Sequence, residues 1–262
     1  MLQITEDVAA KVSLKSDGEH VRSEQTILEL LNQVPCPYIV QTFLHRPDIT
    51  FMELLSNGTL TERMDIVDKP RPVLRWMHQL STAVARVESL GYAHGDLNPR
   101  NVLVNIDDGL KLIDFDHSLK IGEDLDVGDD PYVRVHRAGE PGSTYGVAGP
   151  ITEQFALGSI FWYITRGTEL YHDIEGHEVV NRLCDKQFPA TNPEDPIDDV
   201  ISRCWLGRFP SIADLVDHIQ RVLALDQIDH IQGVVAFDPA YEARKKQCEQ
   251  YYELLRSSSL QP

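Results

Sequence analysis

The stretch with the most chemistry in it is residues 94–118, HGDLNPRNVLVNIDDGLKLIDFDHS, which spaces a carboxylate (Asp96), an amide (Asn101) and a second carboxylate (Asp114) across two short apolar runs. Val102-Leu103-Val104 reads as one strand and Leu110, Leu112 and Ile113 as another, with polar Asn105-Ile106-Asp107-Asp108-Gly109 turning between them. Such a hairpin returns Asp114 to the end where Asn101 begins, beside the loop that carries His94 and Asp96. Moving a phosphoryl group between oxygens depends on positioning and charge neutralisation more than on covalent catalysis. Asp96 suits the orientation and deprotonation of an attacking hydroxyl. Asn101 and Asp114 offer the hard oxygens that Mg²⁺ takes when it is held against the phosphates of ATP.

The elements that must position these groups are also visible. Val73, Leu74, Trp76, Met77, Leu80, Ala83, Val84, Val87 and Leu90 recur at three- and four-residue intervals, one apolar stripe on a long helix. Pro72 near its start and Gly91 past its end fit helix termini, so this helix feeds the loop directly. Ile49 to Leu55 is a β-rich run closing on the turn residues Ser56-Asn57-Gly58. Ser23 to Leu31 reads as an amphipathic helix, ended by Pro35-Cys36-Pro37 ahead of a strand at Tyr38-Ile39-Val40. Val8 to Val12 reads as a strand, with Leu2-Gln3-Ile4 before it and Thr5-Glu6-Asp7 as the turn.

Downstream of Asp114 a long glycine-bearing loop runs to Pro150. The helix that follows, through Ile160, Phe161, Tyr163 and Ile164, is apolar nearly all round, as a buried central helix is. Residues 176–186, 197–205 and 212–225 read as further helices. Tyr241 to Leu255 reads as a charged helix, with Ser257-Ser258-Ser259 fraying after it.

These features resemble the protein-kinase-like superfamily. Its catalytic loop H-R-D-L-x-x-x-N is matched by His94-Gly95-Asp96-Leu97-Asn98-Pro99-Arg100-Asn101 with one change, and its D-F-G element by Asp114-Phe115-Asp116 with one change. The resemblance implies an α+β, two-lobed protein-kinase-like fold with a reduced N-terminal β-sheet lobe and a mainly helical C-terminal lobe. It places the first lobe at residues 1–55, ending in the hinge, the second with its catalytic loop and activation segment at 56–225, and a helical appendage at 226–262. Val8-Ala9-Ala10-Lys11 is similar to the strand V-A-I-K, which implies that Lys11 holds the ATP phosphates and pairs with a helix glutamate. Glu24 is the expected partner and Glu29 its competitor, because Glu24 leaves Leu28 on the inward face one turn later.

By the same resemblance Asp96 is the base and Asn101 and Asp114 are the metal ligands. Glu53 and Leu55 resemble the hinge positions whose backbone groups hydrogen-bond adenine, Met52 stands at the gate of that pocket, and Leu103 floors it against Ala9. Glu153 stands in the place of an aspartate that anchors the catalytic-loop backbone near His94, and Cys204-Trp205 with Phe209-Pro210-Ser211 resembles the end of the kinase lobe.

The departures from the family pattern carry information of their own. The Gly-rich loop expected before the lysine strand has no match, since ten residues precede Lys11 and none is glycine. Gly95 replaces the arginine that grips a phosphorylated activation loop, so Ser143, Thr144 and Tyr145 are not expected to act as a switch by that route. Asn98 stands where Ser/Thr kinases keep a lysine, and Asp116 replaces the glycine of D-F-G. The first expectation is an ATP- and Mg-dependent phosphotransferase acting on a protein Ser/Thr hydroxyl. The alternatives are a pseudokinase scaffold, motivated by the missing loop, and a small-molecule phosphotransferase of the aminoglycoside or choline kinase kind, motivated by Gly95 and Asp116.

Composition bounds the partners. A formal charge of −17 argues against a nucleic-acid ligand, which needs clustered Lys and Arg. The acidic runs at 123–130 and 194–199 read either as solvated loop faces or as a dock for a basic protein substrate. The absence of roughly 18 unbroken apolar residues argues against a membrane span. Cys36, Cys184, Cys204 and Cys248 are widely spaced, which suits a cytoplasmic, reducing compartment and suggests neither disulfides nor zinc. Oligomeric state has no signature in the sequence.

Overall fold

A computed structural model describes residues 1–12, 19–174, 176–222 and 240–258. Strands β1 (Leu2–Gln3) and β2 (Val8–Val12) precede helix α1 (Glu19–Gln33), and β3 (Thr42–Arg46) and β4 (Ile49–Glu53) follow it. These strands form one antiparallel sheet in the order β1-β2-β4-β3. Alternation along β2 gives the sheet two apolar faces. Ala9 belongs to the main core with Ile27, Leu28 and Leu31 of α1, while Val8 and Ala10 join a second cluster on the opposite face.

The remainder is mainly helical. Helices α2 (Leu60–Met64) and α3 (Val73–Ser89) lead to β5 (Tyr92–Ala93). A 3₁₀ turn at Pro99–Asn101 opens the hairpin of β6 (Val102–Val104) and β7 (Leu110–Leu112), and β8 (Leu119–Lys120) returns to pair with β5. Then come α4 (Pro150–Arg166), α5 (His177–Cys184), α6 (Pro196–Trp205), α7 (Ile212–Val222) and α8 (Tyr241–Ser258). The stripe read on α3 is its buried face, with Trp76, Met77, Leu80, Ala83, Val84 and Val87 all enclosed. Gly91, at φ 83°, turns the chain out of the helix and into β5. α4 is enclosed along most of its length and packs on α6 at Gly158, where a Cβ would lie 2.9 Å from that of Cys204.

The architecture is the expected α+β, two-lobed kinase fold. One local expectation is corrected: Tyr38–Val40 is not a strand of the sheet, but a turn in which Ile39 makes a single parallel bridge to Leu112. The prolines at 35 and 37 remove the N–H groups that a longer ladder would need, and the segment instead ties the sheet lobe to the hairpin. The last helix of the lobe, expected to run to Leu225, is described as far as Val222, and 223–239 lie outside the described residues.

The charged C-terminal helix lies against the sheet. α8 packs against β3 and closes the outer face of the sheet, where Cys248, Tyr241, Tyr251 and Tyr252 meet Val8, Ala10, Phe43, Leu44, Ile49 and Phe51. Arg244 Nε sits 2.5 Å from Asp7 Oδ2 and its guanidinium lies over the Phe43 ring. Asp7 is held below the usual carboxylate range chiefly by that hydrogen bond.

Candidate active site

The catalytic loop is fastened from below by buried groups. Glu153, near the start of α4, accepts the backbone N–H of His94 at 2.9 Å and of Gly95 at 3.3 Å. Complete burial pushes its carboxyl up to about 7, although both N–H groups favour the ionised form. His94 is fully enclosed, and burial lowers its pKa, so the imidazole is neutral. With its Nε2 donating to Ile113 O at 2.9 Å, Nδ1 is left to accept the Asp96 N–H at 3.3 Å. The ring lies 5.0 Å from that of Phe115. Gly95 has φ 82°, and a Cβ there would stand 2.3 Å from the carbonyl oxygen of His117. Glycine is therefore demanded by this loop.

The half-buried carboxylate of Asp96 is gripped by two amides. Asn101 Nδ2 donates to Asp96 Oδ2 at 2.8 Å and to its backbone oxygen at 2.9 Å. Asn98 Nδ2 donates to Oδ1 and to the same backbone oxygen, both at 3.1 Å. The hairpin does the rest. Its register pairs Val102 with Leu112, and Ile113 N–H donates to Asn101 O at 3.0 Å, which sets the Asp114 end of β7 beside Asn101. Gln79 of α3 secures the far strand by accepting the Leu110 N–H at 2.9 Å. Asp114 itself has φ 65°, a strained backbone for a residue with a side chain and one characteristic of functional sites.

Lys11 joins the two lobes. Its Nζ lies 3.0 Å from both oxygens of Glu24 and 2.5 Å from Asp114 Oδ1. Glu24 is 2% exposed while Glu29 faces solvent, so of the two candidates α1 presents Glu24. Burial opposes the lysine's charge, yet the two acids outweigh it and hold its pKa above the ordinary value. Burial also raises Glu24, with Lys11 offsetting part of the effect. Glu24 Oε1 further accepts the Phe115 N–H at 3.3 Å.

The donor set fits Mg²⁺. The N–H groups of Asn101 are spent on Asp96, nothing among the described residues donates to its Oδ1, and the Asp114 side chain is 36% exposed. One carboxylate and one amide oxygen, completed by phosphate and water, is how Mg²⁺ is commonly held, whereas no cluster of three or more His, Cys, Asp or Glu suited to a metal occurs among the described residues.

The remaining expected residues belong to β2, β4, β6 and the link after β4. Ala9 is fully buried and pairs with Met52 across the sheet. Leu103 is half-buried on β6 between the enclosed Val102 and Val104. Glu53 ends β4 with its N–H given to Gln41 O at 2.9 Å, and Leu55 follows outside the sheet. The side chain of Glu53 has a use that no sequence signal indicated: it accepts the Gln41 N–H at 2.7 Å and pairs with Lys111 of β7.

The segment between Asp114 and α4 carries its own counter-charges. Glu140 accepts from Arg134 Nη1 at 2.7 Å and from the Arg137 N–H at 2.9 Å, with His136 and Lys186 each 3.9 Å away. The Arg134 hydrogen bond holds its carboxyl down to about 2. Arg137 pairs with Asp185, and Cys184 Sγ donates to Val135 O at 3.2 Å. Much of the acidic character noted in the sequence is likewise committed. Asp129 pairs with Arg100, Asp195 caps α6, and Asp198 is buried against Arg166.

A small antiparallel sheet set on a helical lobe, with a lysine–glutamate pair above and a loop-borne Asp, Asn and Asp below, defines a kinase fold. Residues 4–228 match the family described as protein kinase domain, and the chain belongs to that family. It is 27% identical over 237 residues to the dual specificity protein kinase Ttk of Danio rerio, covering 81% of this chain and 23% of that protein. It is 24% identical over 219 residues to the serine/threonine-protein kinase PKH3 of Eremothecium gossypii, covering 79% of this chain and 28% of that one. The chain thus spans about a quarter of the length of these relatives. No helix among the described residues is long and apolar enough to cross a membrane.

Proposed function

We propose that this chain is an ATP- and Mg²⁺-dependent phosphotransferase acting on a Ser or Thr hydroxyl of a protein. The observation that carries the reading is the convergence of Lys11, Glu24 and Asp114 with the amide-held carboxylate of Asp96. Asp96 takes the proton of the acceptor hydroxyl. The hydroxyl oxygen then bonds to the γ-phosphorus as the bond to the bridging oxygen breaks, and ADP leaves with that electron pair. Lys11, charged between its two acids, is the cation for the phosphates, and Glu24 holds it. Asn101 Oδ1 and the Asp114 carboxylate would hold Mg²⁺, which would supply the remaining neutralisation. The backbone of Glu53 and Leu55 serves adenine, with Ala9 and Leu103 on its two faces.

Support for a protein acceptor comes from the relatives, both named as protein kinases. The test is transfer from γ-labelled ATP to a basic and to an acidic protein acceptor. Label should enter at least one of them with wild-type protein and be lost with Asp96→Asn. Equal transfer by Asp96→Asn overturns the assignment of the base, and preference for the acidic acceptor removes a basic substrate.

A further inference from the structure

Asp96 is held by more than the asparagine that also offers a metal ligand. Asn98 is 2% exposed, and all of its side-chain hydrogen-bonding groups are engaged. Its Nδ2 reaches Asp96 Oδ1 and the Asp96 backbone oxygen at 3.1 Å each, while its Oδ1 accepts the Arg100 N–H at 3.0 Å and so caps the 3₁₀ turn. Asn101 grips the other oxygen, Oδ2. The terminal torsion of an aspartate is broad, so a donor on one oxygen alone leaves the carboxylate free to rock. Donors on both oxygens, anchored to the two ends of one short turn, remove that freedom.

A lysine at this position could not do the same. It has no acceptor for the Arg100 N–H, and it would bring a charge into an enclosed site. The uncharged amide therefore exchanges a cation near the transferred phosphate for a second restraint on the base. We propose that Asn98 is a positioning residue for Asp96, fixing the plane of the carboxylate so that its remaining lone pairs face the acceptor hydroxyl. This rests on the phosphotransfer reading above.

Two roles of Asn98 must be separated, capping the turn and holding the base. Asn98→Ala removes both. Asn98→Ser keeps an N-cap oxygen for the Arg100 N–H but has no amide to span to Asp96. Initial rates for wild type and both variants, with ATP and acceptor varied in turn, are read beside melting temperatures. Misplacing the base predicts that kcat falls about 10- to 100-fold in both variants with KM for ATP unchanged. Serine should restore the melting temperature lost with alanine but not kcat. Wild-type kcat in Asn98→Ser overturns the role of Asn98 while leaving the phosphotransfer reading intact. Absence of transfer by the wild-type protein overturns that reading itself, and the positioning role with it.

Discussion

Lys11 Nζ stands 2.5 Å from Oδ1 of Asp114, although 103 positions separate them in the chain. The same ammonium group neutralises Glu24, which is 2% exposed. One lysine thus answers for a carboxylate in each lobe, and removing it leaves the buried one unpaired.

That dependence predicts a non-additive pair. Lys11→Met alone should destabilise the protein by about 2–3 kcal/mol in urea denaturation, because an enclosed charge loses its partner. Adding Glu24→Gln should recover most of the loss. Strict additivity of the two substitutions would show that they do not act on each other. Phosphate transfer should fall about 100-fold or more in the single variant, whatever its stability.

Gly95 yields a prediction about the catalytic loop. Gly95→Ala, and equally Gly95→Arg, places a Cβ 2.3 Å from His117 O in a left-handed backbone. A loss of about 2 kcal/mol or more is expected, read from the urea midpoint at constant slope. A midpoint equal to that of wild type would mean that the loop adopts another conformation.

Glu153 makes stability depend on pH. Its carboxyl lies at about 7 in the folded chain against 4.5 for the ordinary value, so the folded state binds a proton more readily than the unfolded one across that window. Stability from this group is fully present below pH 4.5 and is lost as pH rises through 7, about 3 kcal/mol in all. Glu153→Gln does not titrate. Melting temperatures from pH 5 to 8 should show wild type losing ground to the variant as pH rises, and a constant gap would refute the shift.

Glu140 gathers Arg134, His136 and Lys186 around one carboxylate. Glu140→Ala should leave Arg134 and Lys186 without their shared carboxylate and loosen residues 134–146. Hydrogen exchange there should quicken by about tenfold while exchange in α3 stays the same. Unaltered protection in the segment would show that the cluster is not what holds it.

How far the chain could be read differs by kind of contact. The long helix α3 and the β6–β7 hairpin were legible because periodicity and turn chemistry are local, and Asp96, Asn101 and Asp114 came with them. Helix α2 was not read: it has only five residues, and its capping box at Thr59 and Glu62 is its sole signal. The Lys111–Glu53 pair and the counter-charges of Glu140 join elements whose spacing no local pattern encodes. Asn98 was visible as a departure from the family, but its grip on Asp96 depends on the backbone of the turn that it caps. The docking of α8 was hidden because Arg244, Lys245 and Lys246 mark the helix as solvated, while the aromatic residues that bury it are spread along its length.

Cys248 reports on that docking. It is 1% exposed, and burial pushes its thiol up to about 11, so it should resist alkylation in the native protein while the half-buried Cys36 and Cys184 react first. Arg244→Ala should hasten labelling of Cys248 more than that of Cys204, which is enclosed between α4 and α6. Equal labelling rates for Cys248 in the variant and wild type would show that the Asp7 contact contributes nothing to the docking.

The position of α8 also sets an order in time. The helix that closes the outer face of the sheet is made about 200 residues after the sheet itself, a delay of roughly 10–40 s at 5–20 residues per second. Throughout that interval Phe43, Leu44 and Phe51 lack the contacts that α8 gives them. During synthesis the sheet must therefore wait for α8, and its outer face stays open to other apolar contacts until that helix is made.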